Sequence, residues 1–218
     1  LDPMATGVLV VGIERGTRFL AHLVTETKTY RATIRLGAST TTDDAEGDIT
    51  SRTDTTDVTD TLIDAAIAQL TGDIMQKPAA VSAIKIDGKR AHERVRDGET
   101  VDIPARPVTV HRFDVLDQRS VDGYIDLDVD VFCSSGTYIR SLARDLGNAL
   151  GVGGHLTALR RTTVGPFDLT HARTLEELED NPQLSLTLDQ ALAASFPILR
   201  VSGEEGHKLA MGQWLEPR

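Results

Sequence analysis

Hydrophobic and polar positions alternate most regularly in two stretches of the chain. Over residues 29–36, Tyr30, Ala32, Ile34 and Leu36 fall on one face and Arg31, Thr33 and Arg35 on the other, the period of a half-buried strand. Over residues 124–133, Ile125, Leu127, Val129, Val131 and Cys133 alternate with Asp126, Asp128 and Asp130. A third strand is predicted at 108–116. Residues 117–123, with Asp122-Gly123, supply the turn that makes it the antiparallel partner of 124–133. The period becomes helical at 59–70, where Leu62, Ile63, Ala66, Ile67 and Leu70 share a stripe behind Asp57 or Thr59 as cap. It is helical again at 137–150, with Ile139, Leu142, Ala143, Leu146 and Leu150 facing a core, Thr137 as cap and Gly151 closing the helix.

The remaining segments are read more coarsely. The apolar run 7–13 predicts a buried strand, 17–24 a short helix, 38–56 a long polar loop rich in Thr and Asp, and 80–86 an extended segment. Residues 89–97 predict a basic helix ended by Gly98, 155–164 a strand, and 175–179 and 188–194 short helices. Near Phe196 the pattern changes, which places a domain boundary at 195/196. Strands and helices interleave with an antiparallel hairpin among them, so the expected class is α+β with a mainly antiparallel mixed sheet flanked by helices.

Composition narrows the function. The chain has 218 residues, 40% of them hydrophobic, a single cysteine and a formal net charge of −10. One cysteine forms no internal disulfide, and the scattered histidines give no metal-ligand spacing, so a reducing cytoplasmic setting and no metal are expected. No apolar run reaches the length of a membrane span. No nucleotide-binding glycine motif is present, so no cofactor is expected. The acidic total argues against nucleic acid. The cations are segregated, however: Lys85, Lys89, Arg90, Arg94 and Arg96 lie in one stretch, then Arg140 with Arg144, then Arg160 with Arg161. Phosphate binding needs a local patch rather than a favourable total.

Three features could carry chemistry. Pro3 restricts Asp2 to extended backbone, and a fixed, ionised carboxylate beside a turn suits a nucleophile or base; turn formation alone is the competing reading. The run Ser134 to Arg140 joins a strand to a helix, where Arg140 could pair with a carboxylate in a two-pronged bond or simply point to solvent. The stretch Ser82 to Arg106 is dense enough in cations for a phosphate backbone, or is a solvated basic helix.

These residues also resemble the TruB-type pseudouridine synthases. Leu1-Asp2-Pro3-Met4-Ala5-Thr6-Gly7-Val8-Leu9 is similar to their catalytic loop and Lys28-Thr29-Tyr30-Arg31 to their K-x-Y motif. Ser82-Ala83-Ile84-Lys85 with Gly88-Lys89 and Arg96, then Ala105-Arg106-Pro107-Val108, follow in the family's order. So do Ser134 through Arg140, and Gly154-His155-Leu156 with Leu159-Arg160-Arg161. The resemblance implies a pseudouridine synthase fold over 1–195, an RNA-gripping insertion at about 82–107 and the start of a PUA-like RNA-binding domain at 196–218. It implies Asp2 as catalytic aspartate, Tyr30 stacking on the everted base, Arg140 holding Asp2, and Tyr138 and Leu159 lining the uracil pocket. Lys85, Lys89, Arg96, Arg106, His155, Arg160 and Arg161 would contact RNA. The implied reaction is the cofactor-free isomerisation of the T-loop uridine at position 55 of tRNA, by a monomer, with the aspartate either attacking C1′ or removing a sugar proton. The family's K-P-x-G-x-T-S strand and the H-T-G before the catalytic loop are absent from this sequence, and His92 and Arg94 stand where the family has Tyr. Both ends read as truncated, so the chain by itself would be short of elements that the reaction uses. Alternatives are a tRNA-binding folding helper without chemistry, an aspartate-dependent hydrolase unrelated to RNA, and a guide-RNA-dependent relative.

Overall fold

The computed structural model describes residues 2–24, 26–79, 85–86, 89–90 and 103–215, with only the backbone of 85–86 and 89–90. The alternation seen at 29–36 becomes β2 (Lys28–Leu36), and that at 124–133 becomes β9 (Tyr124–Cys133). They pair antiparallel with Tyr30 opposite Val131, Ala32 opposite Val129 and Ile34 opposite Leu127. Tyr30, Ala32, Ile34 and Leu36 of β2 and Ile125, Leu127, Val129, Val131 and Cys133 of β9 are buried, so these inward sets meet across the pair and fix the register; a slip of one residue would turn both sets to the other face.

β9 is joined by its turn to β8 (Arg106–Val121), a longer strand than the sequence predicts. Asp122 and Gly123 take φ values of 52° and 80°, the left-handed geometry that matches hairpin twist. Outside this hairpin, β5 (Gly72–Gln76) pairs antiparallel with β8. On the other side of β2 lies β10 (Gly154–Val164), antiparallel to it, followed by the edge strand β1 (Thr6–Gly7), which runs parallel to β10. The short β11 (Phe167–Asp168) also pairs with β10, so the main sheet among the described residues is seven-stranded and mostly antiparallel, as the α+β reading expects.

Helices α2 (Asp60–Gln69) and α3 (Ile139–Ala149) cover one face of the sheet. Ile63, Ala66 and Ile67 from α2 and Ile139, Leu142, Ala143 and Leu146 from α3 join the inward side chains of β2, β9 and β10 in one core. Thr59 caps α2 by accepting from the Leu62 amide, one of the two caps expected. α3 starts two residues later than predicted: Tyr138, not Thr137, holds the cap position, and it makes no side-chain cap bond. At the far end of α3 the helix backbone rests directly on β10. A Cβ on Gly147 would lie 2.1 Å from the Gly153 carbonyl carbon, and one on Gly154 would lie 2.5 Å from the Ala143 oxygen. Helix and strand thus touch without intervening side chains.

Three predicted elements differ. Of the apolar run 7–13 only Gly7 lies in a strand, at the end of β1, and Leu9, Val11 and Ile13 are exposed. Hydrophobicity alone gives a strand no partner. The polar stretch 38–56 is not structureless; it contains a hairpin of β3 (Ala38–Thr40) and β4 (Ile49–Arg52). The predicted basic helix begins as strand, with β6 (Lys85–Ile86) and β7 (Lys89–Arg90) paired antiparallel. Residues 91–97 lie outside the described residues, as do 80–84 of the predicted extended segment.

Helix α1 (Gly16–Leu23) matches its prediction and buries Phe19 and Leu23. The chain divides into two compact units, 1–182 and 183–218. α4 (Leu175–Asp180) ends the first. The second holds α5 (Leu188–Ser195) and α6 (Gly203–Ala210), each opened by a capping box, at Thr187 with Gln190 and at Ser202 with Glu205. The boundary expected at 195/196 lies at the end of α5, inside the second unit.

Candidate active site

Arg140 is the second residue of α3, and its guanidinium is buried, at 6% side-chain exposure. Desolvating a guanidinium is tolerable only when carboxylates and carbonyls replace its water. Two segments distant in sequence supply them. Its Nη2 donates to Asp2 Oδ1 at 2.9 Å, and its Nη1 donates to the Thr42 carbonyl at 3.0 Å. Nη1 also lies 3.4 Å from Asp44 Oδ2. The Asp44 side chain is only 3% exposed and is oriented by the Thr42 hydroxyl, at 2.5 Å, and the Glu46 amide, at 3.0 Å, both donating to its Oδ1. Asp2, at 26%, is the carboxylate that still meets solvent. One guanidinium therefore sits between a structural carboxylate and an accessible one.

Asp2 is placed by a short turn and an edge strand. The Ala5 amide donates to the Asp2 carbonyl at 3.0 Å, Met4 and Ala5 pack against the core, and Thr6 and Gly7 pair with Arg160 and Arg161. Arg161 clamps the exit of this loop twice: its carbonyl accepts from the Val8 amide and its Nε donates to the Val8 carbonyl, both at 2.8 Å.

Tyr30 lies directly across from Arg161 in the β2–β10 ladder and is buried. Burial pushes its phenol above the ordinary range; the hydrogen bond and charge of Arg161 oppose that shift, while the charge of Asp2 adds to it. The phenol is therefore neutral at physiological pH. Leu159, opposite Ala32, is buried in the same core as Tyr30. Tyr138 is half-buried at the start of α3. Its amide donates to Gln76 Oε1 at 2.8 Å and its carbonyl accepts from Gln76 Nε2 at 3.1 Å. Gln76, at the end of β5, is 1% exposed, so its amide serves as a two-pronged backbone brace.

Two concavities flank these residues. One, of about 560 Å³, is lined by Met4, Thr6, Arg31, Leu159 and Arg160 among others. The smaller, of about 240 Å³, is lined by Gln76, Arg106, Gly136 and Tyr138 among others. Asp2, Tyr30 and Arg140 line neither of the two.

The sites expected from sequence thus divide. Asp2 and Arg140 are in contact, and Tyr30 is close enough to feel the charge of Asp2. Arg106 and Arg160 are exposed, Arg160 donating to Thr6 Oγ1 at 3.1 Å. His155 and Arg161 are buried instead. His155 Nδ1 lies 2.9 Å from the Ala38 carbonyl, so that ring braces β10 against β3 and does not face solvent. Lys85 and Lys89 sit on the β6–β7 ribbon, and Arg96 lies outside the described residues. Thr42, Asp44 and Gln76 were not among the residues expected. Asp44 is inconspicuous in a Thr- and Asp-rich stretch, and only the fold brings it to Arg140. Among the described residues no group of His, Cys, Asp and Glu could hold a metal ion.

The mixed sheet thus bears a loop carboxylate gripped by a helix-borne arginine, with a buried tyrosine near it. Residues 1–139 match the TruB family pseudouridylate synthase N-terminal domain, and residues 140–194 match the tRNA pseudouridylate synthase B C-terminal domain. The chain belongs to the TruB family. It is 72% identical over 218 residues to the tRNA pseudouridine synthase B of Corynebacterium efficiens, covering all of this chain and 73% of that protein. It is 59% identical over 217 residues to the tRNA pseudouridine synthase B of Nocardia farcinica, covering 71% of it. Among solved structures, a Cbf5-Nop10-Gar1 complex contains a chain 32% identical, with a TM-score of 0.59. That match covers 83% of this chain and 43% of the other. An H/ACA RNP bound to a substrate RNA containing 2′-deoxyuridine gives 29% identity and a TM-score of 0.56, covering 83% of this chain and 42% of the other.

Proposed function

We propose that this chain carries the catalytic centre of a tRNA pseudouridine synthase that isomerises the T-loop uridine at position 55. The single observation behind the assignment of roles is the 2.9 Å pair between the partly exposed Asp2 carboxylate and the buried Arg140 guanidinium. A carboxylate aimed by a buried guanidinium suits attack at a sugar carbon or removal of a sugar proton.

In this reading the uridine leaves the T loop, at a cost of a few kcal/mol for unstacking. Stacking on the Tyr30 ring returns ~1–3 kcal/mol of it. Asp2 acts at the ribose, the C1′–N1 bond breaks, the uracil turns, and a C1′–C5 bond forms. The proton lost from C5 is balanced by one gained at N1, so atoms and electrons balance without a cofactor. The neutral Tyr30 phenol stands near the departing C5 proton. Leu159 and Tyr138 wall the base from water, and Asp44 and Thr42 hold the face of Arg140 turned away from Asp2. Arg106 and Arg160, with Lys85, Lys89 and Arg96, would contact tRNA phosphates around the T arm. His155 and Arg161 would act by bracing the site.

Residues 1–195 would form the catalytic domain, 82–107 the RNA-gripping insertion, and 196–218 the start of a PUA-like domain, in a cytoplasmic monomer. No helix among the described residues is long and apolar enough to cross a membrane.

The test is tritium release from tRNA transcripts labelled at uridine C5, with the product mapped by position. The full-length protein should release one tritium per tRNA from position 55, and Asp2→Asn should release none while still binding tRNA. Release from another position would overturn the site assignment, and unchanged turnover by Asp2→Asn would overturn the role of Asp2.

A further inference from the structure

Arg144 lies one helical turn beyond Arg140 on α3. Its guanidinium ties three segments together. Nη1 donates to Asp43 Oδ2 at 3.1 Å, Nη2 donates to the Lys77 carbonyl at 2.7 Å, and Nε donates to Asp145 Oδ1 at 2.9 Å. Both carboxylates are half-buried, and burial pushes both above the usual carboxylate range despite the neighbouring cation.

Asp43 is the informative partner. It sits at the tip of the β3–β4 hairpin with φ 60°, a left-handed conformation uncommon for residues with a Cβ and best tolerated by Asn and Asp. Its two chain neighbours are the residues that grip Arg140, Thr42 through its carbonyl and Asp44 through its carboxylate. Its own carbonyl accepts from the Leu156 amide at 3.0 Å, and the Thr40 hydroxyl donates to the Asp44 carbonyl at 2.7 Å. The hairpin tip is thus pinned at its backbone on both sides, while Arg144 pins the one side chain between them.

We propose that Arg144 is a positioning residue for the reaction: by holding Asp43 in its left-handed turn it presents Thr42 and Asp44 to Arg140, and so aims Asp2. The inference rests on the proposed function for its rate readout but not for its structural one. Arg144 is not a catalytic residue, because it reaches Asp2 only through Asp43, the flanking turn and Arg140. The planar fork matters. Three acceptors in three directions suit a guanidinium, whereas a lysine ammonium offers a single point of attachment, so Arg144→Lys should not rescue.

Arg144→Gln, Arg144→Lys, Asp43→Asn and the Arg144→Gln/Asp43→Asn double variant of the full-length protein test this. Single-turnover pseudouridine formation should slow about tenfold or more in each single variant, as expected of a small misplacement of a reacting group. Binding of tRNA should stay within about twofold, and the double variant should be no slower than the singles, because both remove the same link. Independently of activity, hydrogen exchange at the Leu156 amide should quicken about tenfold in Arg144→Gln as the turn loosens. Turnover at the wild-type rate, a matching loss of tRNA binding, multiplicative effects in the double variant, or unchanged Leu156 exchange would each overturn the proposal. If the wild-type protein formed no pseudouridine, the proposed function would fall, and the Leu156 exchange alone would decide whether Arg144 holds the turn.

Discussion

The two faces of the central sheet use the same chemistry, arginine against aspartate, to opposite ends. On the open face, Arg119 donates to Asp128 at 2.6 Å, Arg112 pairs with Asp130 and Asp114, and Arg31 lies 3.7 Å from Asp130. Most of these side chains are well exposed, so water competes for every pair and salt screens it. On the helix face the guanidinium of Arg140 is buried, and its partners come from the loop at Asp2 and the hairpin tip at Thr42 and Asp44. The open-face pairs neutralise neighbouring strands that are already hydrogen-bonded. The buried cluster joins α3 to two segments distant in sequence, the Asp2 loop and the hairpin tip. Burial, rather than the count of ion pairs, separates structure-specifying charge from charge that merely keeps a sheet soluble.

The comparison can be broken at several points. The largest effect belongs to the accessible carboxylate: Asp2→Asn should lower single-turnover pseudouridine formation by at least about 10⁴-fold, the scale of removing a reacting group, while the thermal midpoint hardly moves. Next is its holder. Arg140→Met leaves the buried Asp44 without its cation, and chemical denaturation should show a loss of ~3–5 kcal/mol. If Arg140→Met were as stable as the wild type, the contrast between the faces would vanish. Tyr30→Leu keeps the burial but removes the ring, and should weaken the transition state by ~1–3 kcal/mol, read as kcat/KM.

A subtler test uses acidity. Burial raises the carboxyl of Asp43, so its contribution to stability is present below the unfolded value and lost as pH rises through the folded one. On the open face the hydrogen bond from Arg119 lowers Asp128, so its contribution is present above the unfolded value and lost as pH falls through the folded one. Denaturation between about pH 3 and pH 6, the carboxylate range, should show opposite trends. Stability relative to wild type should rise with pH for Asp43→Asn and fall with pH for Asp128→Asn. Equal slopes would remove the distinction between the faces. The smallest effect is expected from Arg112→Gln, whose thermal midpoint should match that of the wild type.

How much of this was legible in the sequence follows the same division. The strands β2 and β9, their inward residues and the hairpin to β8 were readable because a period of two with one buried face leaves one acceptable register. Helices α2 and α3 were readable from their stripes. The gripping hairpin was not: residues 38–56 lack an apolar period, and β4 is exposed along its length, so its pairing leaves no hydrophobic trace. Asp44 was hidden for that reason, since its identity as an aspartate says nothing until the fold brings Arg140 to it. The run at 7–13 misled in the other direction, because Leu9, Val11 and Ile13 look like core and are exposed. His155 and Arg161 were expected at an RNA surface on their resemblance to family motifs, and both are buried and bonded to main-chain carbonyls. A residue type announces what a side chain can bind, not which way it points.

The bare contact between α3 and β10 at Gly147 and Gly154 bears on how freely this site can drift. Side chains elsewhere in the core can be exchanged for others of similar bulk, and the layers settle slightly closer or farther apart. Where main chain rests on main chain, no such adjustment is available. The separation between the helix bearing Arg140 and the strand bearing Leu159 is therefore a fixed datum, indifferent to the lineage's choice of aliphatic filling. Adding a single methyl group at either glycine would tilt that helix, whereas many substitutions between them would leave its aim untouched.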